Sequence, residues 1–335
     1  MSHSVYDALL IVSFGGPEGP DDVMPFLENV LRGKPIPRQR MLEVAEHYYH
    51  FGGVSPINSQ NRSLIDRLRA AFLDANINLP IYWGNRNWQP TLAESLEAMK
   101  NAGVKRALAF FTSMFSSYSG CRQYRENLIE AAQQVGEGAP QVDKLRFGFN
   151  HPLFISTMAN RVMQAVQPLA ESSRGAVPVL FTAHSIPLSM SAGCSYERQL
   201  RESCRLVAQE ASIKHWELVY QSRSGSPQHP WLEPDVNDRI VQLHEQQSLS
   251  AVVIAPIGFI SDHMEVMYDL DHEVADRCRD LGIAMSRAGT AGIHDDFIAM
   301  IVDLVRERID TSQPRRALGD LGPWHDVCPL DCCLK

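Results

Sequence analysis

Short apolar runs alternate with helix-length amphipathic stretches along almost the whole chain, and that rhythm restricts the fold more than any other feature. Runs suited to strands occur at residues 7–13 (DALLIVS), 80–84 (PIYWG), 106–112 (RALAFFT) and, more weakly, 143–147. The second half repeats the pattern at 177–183, 216–221, 251–257 and 283–286. Helical periodicity fills the intervals at 21–31, 40–50, 58–74, 91–102, 122–134 and 151–171, then at 195–211, 236–247, 265–281 and 295–309. Apolar strands separated by helices specify parallel sheets covered on both faces. The predicted fold is α/β: two similar doubly wound domains, each on a roughly four-stranded parallel sheet, facing each other across a cleft. Residues 1–171 form the expected N-terminal Rossmann-like domain and 172–310 the C-terminal one. The join is expected at 172–178 (SSRGAVP), and 311–335 reads as a cysteine-containing tail.

Charge and hydropathy narrow the function classes. A net charge of −8 tells against nucleic acid as the main partner, because phosphate binding needs a basic face. No apolar run approaches the roughly 18 residues of a membrane span. The opening MSHSVYDALLIVSFGGP lacks a basic flank and reads as a first strand instead of a signal peptide, so the cytoplasm is the expected location.

Ligands of doubly wound sheets bind beyond the carboxyl ends of the strands. The most unusual sequences of this chain follow its predicted strands: Phe14-Gly15-Gly16-Pro17, Asn85-Arg86-Asn87-Trp88, 113–124 (SMFSSYSGCRQY), His184-Ser185, 221–231 (QSRSGSPQHPW) and 257–265. GGPEGP departs from the dinucleotide fingerprint, since a proline interrupts it and the glycine spacing differs. It reads as a tight turn, and no nucleotide cofactor is expected.

Two strand ends carry the chemistry. The first delivers His184, whose imidazole is suited to act as a general base or metal ligand; a satisfied strand-end histidine is the plain alternative. The second delivers Asp262, His263 and Glu265. Glu265, Asp269 and Glu273 are spaced i, i+4, i+8 and share one helix face. Like charges in such a row repel, which sets a metal or proton route against a merely solvated stripe. No G-x-S-x-G elbow surrounds Ser185, so acyl transfer is not expected. The basic segment 31–40 (LRGKPIPRQR), with Arg122 and Arg125, suits carboxylate binding, a solvated loop being the alternative. Phe14, Trp83, Trp88, Phe115, Tyr118, Tyr124 and Trp231 gather near strand ends, where they serve either the core or a flat apolar ligand. Cys328, Cys332 and Cys333 crowd the end of the chain. In a cytosolic protein that clustering reads as metal binding, with one ligand supplied from elsewhere, against a metal-free reactive tail.

In order along the chain, SFGGPEGP, HFGGVSPIN, GNRNW, TAHSIP, QSRSGSPQHPWLEPD and PIGFISDHMEV resemble ferrochelatases, the enzymes that insert ferrous iron into a porphyrin. The resemblance spans nearly the whole sequence. It implies two doubly wound domains around a porphyrin cleft, with Fe²⁺ as substrate. His184 is then the base or metal-delivering ligand and Glu265 its partner, while Asp269 and Glu273 continue a metal or proton route. Members often carry a tyrosine or methionine near the position of Phe14. Phenylalanine cannot ligate iron, so an apolar platform is expected there.

GGPEGP, GGVSPIN and SSYSGCRQY are similar to bacterial members that act on coproporphyrin III and yield iron-coproporphyrin for a later decarboxylase. Its propionates require donors around the rim, for which Arg32, Ser55, Asn58, Arg122 and Tyr124 are the candidates. Transient contact with neighbouring haem-pathway enzymes is expected. Some members hold a [2Fe–2S] cluster on C-terminal cysteines plus one internal cysteine. Here Cys328, Cys332 and Cys333 fit that idea, with Cys121 preferred to Cys194 as the fourth ligand. Protoporphyrin IX ferrochelatase, a cobalt-loading chelatase and a non-catalytic tetrapyrrole carrier stand as alternatives.

Overall fold

A computed structural model describes residues 5–33, 36–170, 177–224 and 229–334. Most of the expected join at 172–178, and Lys34 of the basic segment, lie outside the described residues. The strands are β1 (Ala8–Ser13), β2 (Ile81–Asn85), β3 (Arg106–Phe111), β4 (Gln141–Lys144), β5 (Val179–His184), β6 (Trp216–Gln221), β7 (Ala251–Ala255) and β8 (Ala284–Arg287). They form two four-stranded sheets, ordered β2-β1-β3-β4 and β6-β5-β7-β8. All pairs are parallel, so the second sheet repeats the first. β1 and β7 are buried along their whole length, whereas β4 and β8 are partly exposed edges. β4 lies slightly before the predicted run. Gln141–Lys144 pairs with β3, and the apolar Leu145 and Phe147 that suggested a strand are buried in the loop beyond it.

Each chain half starts in a central strand, crosses to one edge, then returns to the other side. The reversal opens a crevice between β1 and β3, and a second between β5 and β7. The loops after those four strands are four of the six singled out in the sequence; the other two follow the edge strands β2 and β6.

One apolar core runs through both halves, joining Ile11 and Phe110 to Phe154, Phe181 and Phe297. Helix Pro152–Ala170 ends the first half yet packs against β7 and β8. Helix Asp295–Ile309 ends the second half and packs against helix Ile57–Asp74 of the first. The halves therefore interlock. Arg146 adds a bidentate pair to Glu307, both bonds 2.7 Å and both side chains buried. Removing one partner would strand a buried charge at a cost of about 3–5 kcal/mol. Nearer the crevices, Gln60 Nε2 donates to Asp262 Oδ2 at 3.3 Å while its Oε1 accepts from Asp262 N–H at 2.9 Å.

The predicted helix over 265–281 is a composite. An α-helical start, Met264–Val266, runs into a π-helix, Met267–Val274, and then an α-helix, Ala275–Asp280. A second π-helix, Tyr118–Arg122, leads into helix Gln123–Val135. Such segments are rare and concentrate at functional sites. Here they follow β7 and β3, one beside each crevice.

Candidate active site

His184 is the last residue of β5, and Glu265 starts the helical run after β7. The two approach because Gly258 lets the intervening loop cross hard against β5. A Cβ there would sit 2.7 Å from both Cα and Cβ of Ala183. His184 Nε2 lies 3.5 Å from Glu265 Oε1. On the far side of the carboxylate, His263 Nδ1 lies 4.0 Å from Glu265 Oε2. The His184 ring is fixed through Nδ1 by the Ser185 carbonyl, and its own carbonyl accepts from Tyr196 Oη at 3.0 Å.

Burial alone would lower the His184 pKa, but the Glu265 carboxylate, the Ser185 carbonyl and Asp269 together outweigh it and the imidazole is raised. Burial would likewise raise Glu265, but His184 and then His263 hold it below the usual carboxylate range. Near neutrality the two form an imidazolium–carboxylate pair. Glu265 keeps 50% of its side-chain surface exposed.

Asp269 behaves differently. Burial, reinforced by Glu265 and Glu273, pushes it up to about 7, against the opposing hydrogen bonds from Ser222 and Gln221. Glu273 is also raised, mainly by burial. The acid row thus carries graded proton affinities instead of three equal charges.

The opposite wall is helix Arg38–His50. Burial, then the charge of Glu265, raises the Tyr48 phenol, which keeps its proton. His47 stacks on Tyr268 with ring centroids 3.7 Å apart, and His50 lies on His272 at 4.5 Å. The helix therefore lies across the acid row at the mouth. Sequence reasoning missed this contact. The available signal was a pair of histidines at i, i+3 on one helix.

Phe14 follows β1 and meets Phe26 edge-on at 6.2 Å. The Arg86 guanidinium stands 5.6 Å from the Phe14 ring and 4.5 Å from Tyr124, and its Nε donates to Asn127 at 2.7 Å. Arg32 and Arg86 line a cavity of about 230 Å³ with Asn29, Asn87 and Trp88. Arg86 was not among the sequence candidates, although its GNRNW segment was.

Several rim candidates are engaged elsewhere. Asn58 is 1% exposed and donates its amide to the Gly16 carbonyl at 2.9 Å, so it builds the Gly15-Gly16 turn from behind. Ser55 is buried against Gly16, where an added Cβ would meet its own at 2.7 Å. Tyr124 is buried beneath Arg86. Arg122 turns to the tail, donating to the Leu330 carbonyl at 2.9 Å and the Cys332 carbonyl at 3.1 Å while pairing with Glu126.

That tail brings four thiols together. Cys121, on the π-helix Tyr118–Arg122, contacts Cys328 and Cys333. Cys332 Sγ lies 3.4 Å from Cys333 Sγ and also contacts Cys328. Cys194 stands apart, with its thiol on the Ser191 carbonyl at 3.6 Å. His325, absent from the sequence candidates, joins Cys328 and Cys332, and the ligand atoms of the three lie within 4.8 Å of one another.

Among the described residues, no helix is long and apolar enough to cross a membrane. Residues 6–309 match the family model described as Ferrochelatase. A ferrochelatase of Rhodopirellula baltica is 64% identical over 330 residues, covering 98% of this chain and 93% of that protein. Coproporphyrin III ferrochelatases of Streptomyces coelicolor and Frankia alni are 47% and 50% identical, each covering 98% of this chain and respectively 94% and 86% of the relative. Among solved structures, SirB from Bacillus subtilis with Fe³⁺ shares the fold, with a TM-score of 0.56 at 12% identity, covering 94% of this chain and all of that one.

Proposed function

The chain belongs to the ferrochelatase family, and from that premise we propose that it inserts Fe²⁺ into coproporphyrin III to give iron-coproporphyrin. The iron chemistry rests on one observation above all, the His184–Glu265 pair 3.5 Å apart where the second sheet reverses. The choice of porphyrin is supported by relatives named coproporphyrin III ferrochelatases, 44% to 50% identical over 94% or more of this chain.

Insertion exchanges the two pyrrole N–H protons for one Fe²⁺. In the resting pair His184 carries a proton because Glu265 favours it. A dication arriving at Glu265 reverses that local field, so His184 sheds its proton and becomes competent as a ligand or base. Asp269, with an affinity near neutrality, accepts released protons and passes them toward Glu273. Phe14 offers an apolar face and no ligand atom. An imidazole–carboxylate site suits Fe²⁺ and also admits Zn²⁺ or Cu²⁺. Anaerobic Fe²⁺ insertion into coproporphyrin III and protoporphyrin IX, compared side by side, tests the reading. Faster turnover of coproporphyrin is expected; equal or better turnover of protoporphyrin would overturn the substrate assignment.

We also propose that Cys121, Cys328, Cys332 and Cys333 hold a [2Fe–2S] cluster. Their mutual contacts, and the burial of Cys121 and Cys333 at 2% exposure, support a thiolate site. Bound there, such a cluster supplies a one-electron couple; the protein's part is to tie the tail to the π-helix after β3. Protein purified without oxygen or added porphyrin should absorb in the visible and lose that absorbance in Cys121→Ser. A colourless wild type free of iron and sulfide would sink this assignment. We read 1–171 and 172–310 as the two walls, 311–335 as the strap bearing the thiols, and the cytoplasm as the place of reaction.

A further inference from the structure

One guanidinium grips the chain on both sides of Glu265. Arg287, the last residue of β8, donates from Nη1 to Asp262 Oδ1 at 3.1 Å and from Nε to Asp271 Oδ1. Asp262 precedes Glu265 in the loop after β7, and Asp271 follows Asp269 on the π-helix. The loop side is gripped a second time by Gln60, on helix Ile57–Asp74 of the first half, which accepts from the Asp262 N–H and donates to its Oδ2. Asp262, grouped in the sequence with His263 and Glu265, is thus engaged by the scaffold. Between the two anchors the chain passes from the α-helical start Met264–Val266 into the π-helix Met267–Val274. Such wide turns are rare, and side chains tied down on either side of this one fix its register. Among the described residues Arg287 pairs with no other carboxylate.

We propose that Arg287 is a positioning residue for iron insertion, acting through Asp262 and Asp271 to hold Glu265 and Asp269 in register with His184. A planar guanidinium fork serves two carboxylates at once, a geometry that the point charge of a lysine does not reproduce. Without it, Asp262 and Asp271 lose their cation in a segment that also carries Glu265, Asp269 and Glu273, where like charges repel. The proposal rests on the reading of Glu265 and Asp269 as the acids that handle iron and protons.

Steady-state insertion of Fe²⁺ into coproporphyrin III without oxygen, normalised to the folded fraction of the full-length protein, tests it beside porphyrin fluorescence titration. Arg287→Gln is expected to lower kcat by about 10-fold or more and to raise the KM for Fe²⁺, since small misplacements of reacting groups are felt strongly in rate. Porphyrin affinity should stay at the wild-type value. Arg287→Lys should recover part of the loss. Adding Asp262→Asn to Arg287→Gln should cost little more, because both act through one segment. If Arg287→Gln misfolds, Gln60→Ala, which frees Asp262 from the first half alone, should raise the KM for Fe²⁺ in the same direction. Wild-type kcat and KM for Fe²⁺ in Arg287→Gln, or a loss that vanishes on normalisation, would overturn the positioning role. Glu265→Gln separates the two readings. Undiminished insertion in that variant would overturn the reading of the acids, whereas a loss there beside a fully active Arg287→Gln would overturn this proposal alone.

Discussion

Asp269 lies one turn beyond Glu265, and the Gln221 amide bridges them, with Nε2 2.9 Å from the Glu265 carbonyl and 3.3 Å from Asp269 Oδ2. The two acids of one row nonetheless differ in character: His184 and His263 hold Glu265 below the usual carboxylate range, whereas burial, with Glu265 and Glu273, raises Asp269 to about 7.

Asp269 should therefore set the acid limb of the pH–rate profile. Its carboxyl is raised to about 7, so the accepting form is lost as pH falls through that value. Asp269→Asn is expected to flatten this limb and lower turnover by about 10²-fold. The stability sign is opposite to that of an ordinary paired carboxylate. A raised acid stabilises the fold below its unfolded pKa and loses that contribution as pH rises from 3.8 to about 7. Asp269→Asn should raise the melting temperature at pH 8 and change it little at pH 3.5. Thermal unfolding at the two pH values checks this.

His184→Ala should abolish insertion, a loss of about 10²–10⁴-fold, while porphyrin affinity stays near wild type. Porphyrin fluorescence titration and stopped-flow insertion separate the two. Wild-type turnover in this variant would remove His184 from the reaction.

Gly258→Ala places a methyl group 2.7 Å from the backbone of Ala183, so the loop must retreat from β5. The His184–Glu265 separation should widen, with turnover falling by about 10-fold or more and stability by about 1–3 kcal/mol. Activity and chemical denaturation together read the two effects.

Arg122→Ala removes both hydrogen bonds to the tail carbonyls and the pair to Glu126. The tail should become more protease-sensitive, at a cost of about 1–3 kcal/mol to its attachment, with coproporphyrin affinity unchanged. Limited proteolysis and fluorescence titration check the two halves. A large loss of porphyrin affinity would return Arg122 to the ligand rim.

Much of the fold was legible because uninterrupted apolar runs have few other destinations than a parallel sheet covered on both faces. The approach of His184 and Glu265 was legible for a related reason, since each follows an apolar run that ends at a strand terminus, where the structure places them 3.5 Å apart. The π-helices were not, because their i→i+5 bonding leaves no period distinct from that of the flanking α-helices over so few residues. Asn58, at a helix start, bonds the Gly16 carbonyl, and Arg122, after β3, bonds the tail carbonyls; a polar side chain reads alike in sequence whether it faces a ligand or the backbone. The placement of Arg86 and His325 depends on long-range packing, which no local pattern encodes, and the His47–His50 spacing marked a helix face without revealing that Tyr268 and His272 meet it.

The buried Arg146–Glu307 pair and the exchanged helices have a mechanical consequence. Walls clamped at their base and touching at the rim cannot close far around a guest. They act as a rigid mould, so the work of deformation falls on the softer body, the macrocycle. A porphyrin already bent out of plane should bind tightly without any compensating movement of the protein, and a flat, stiffened one should bind weakly.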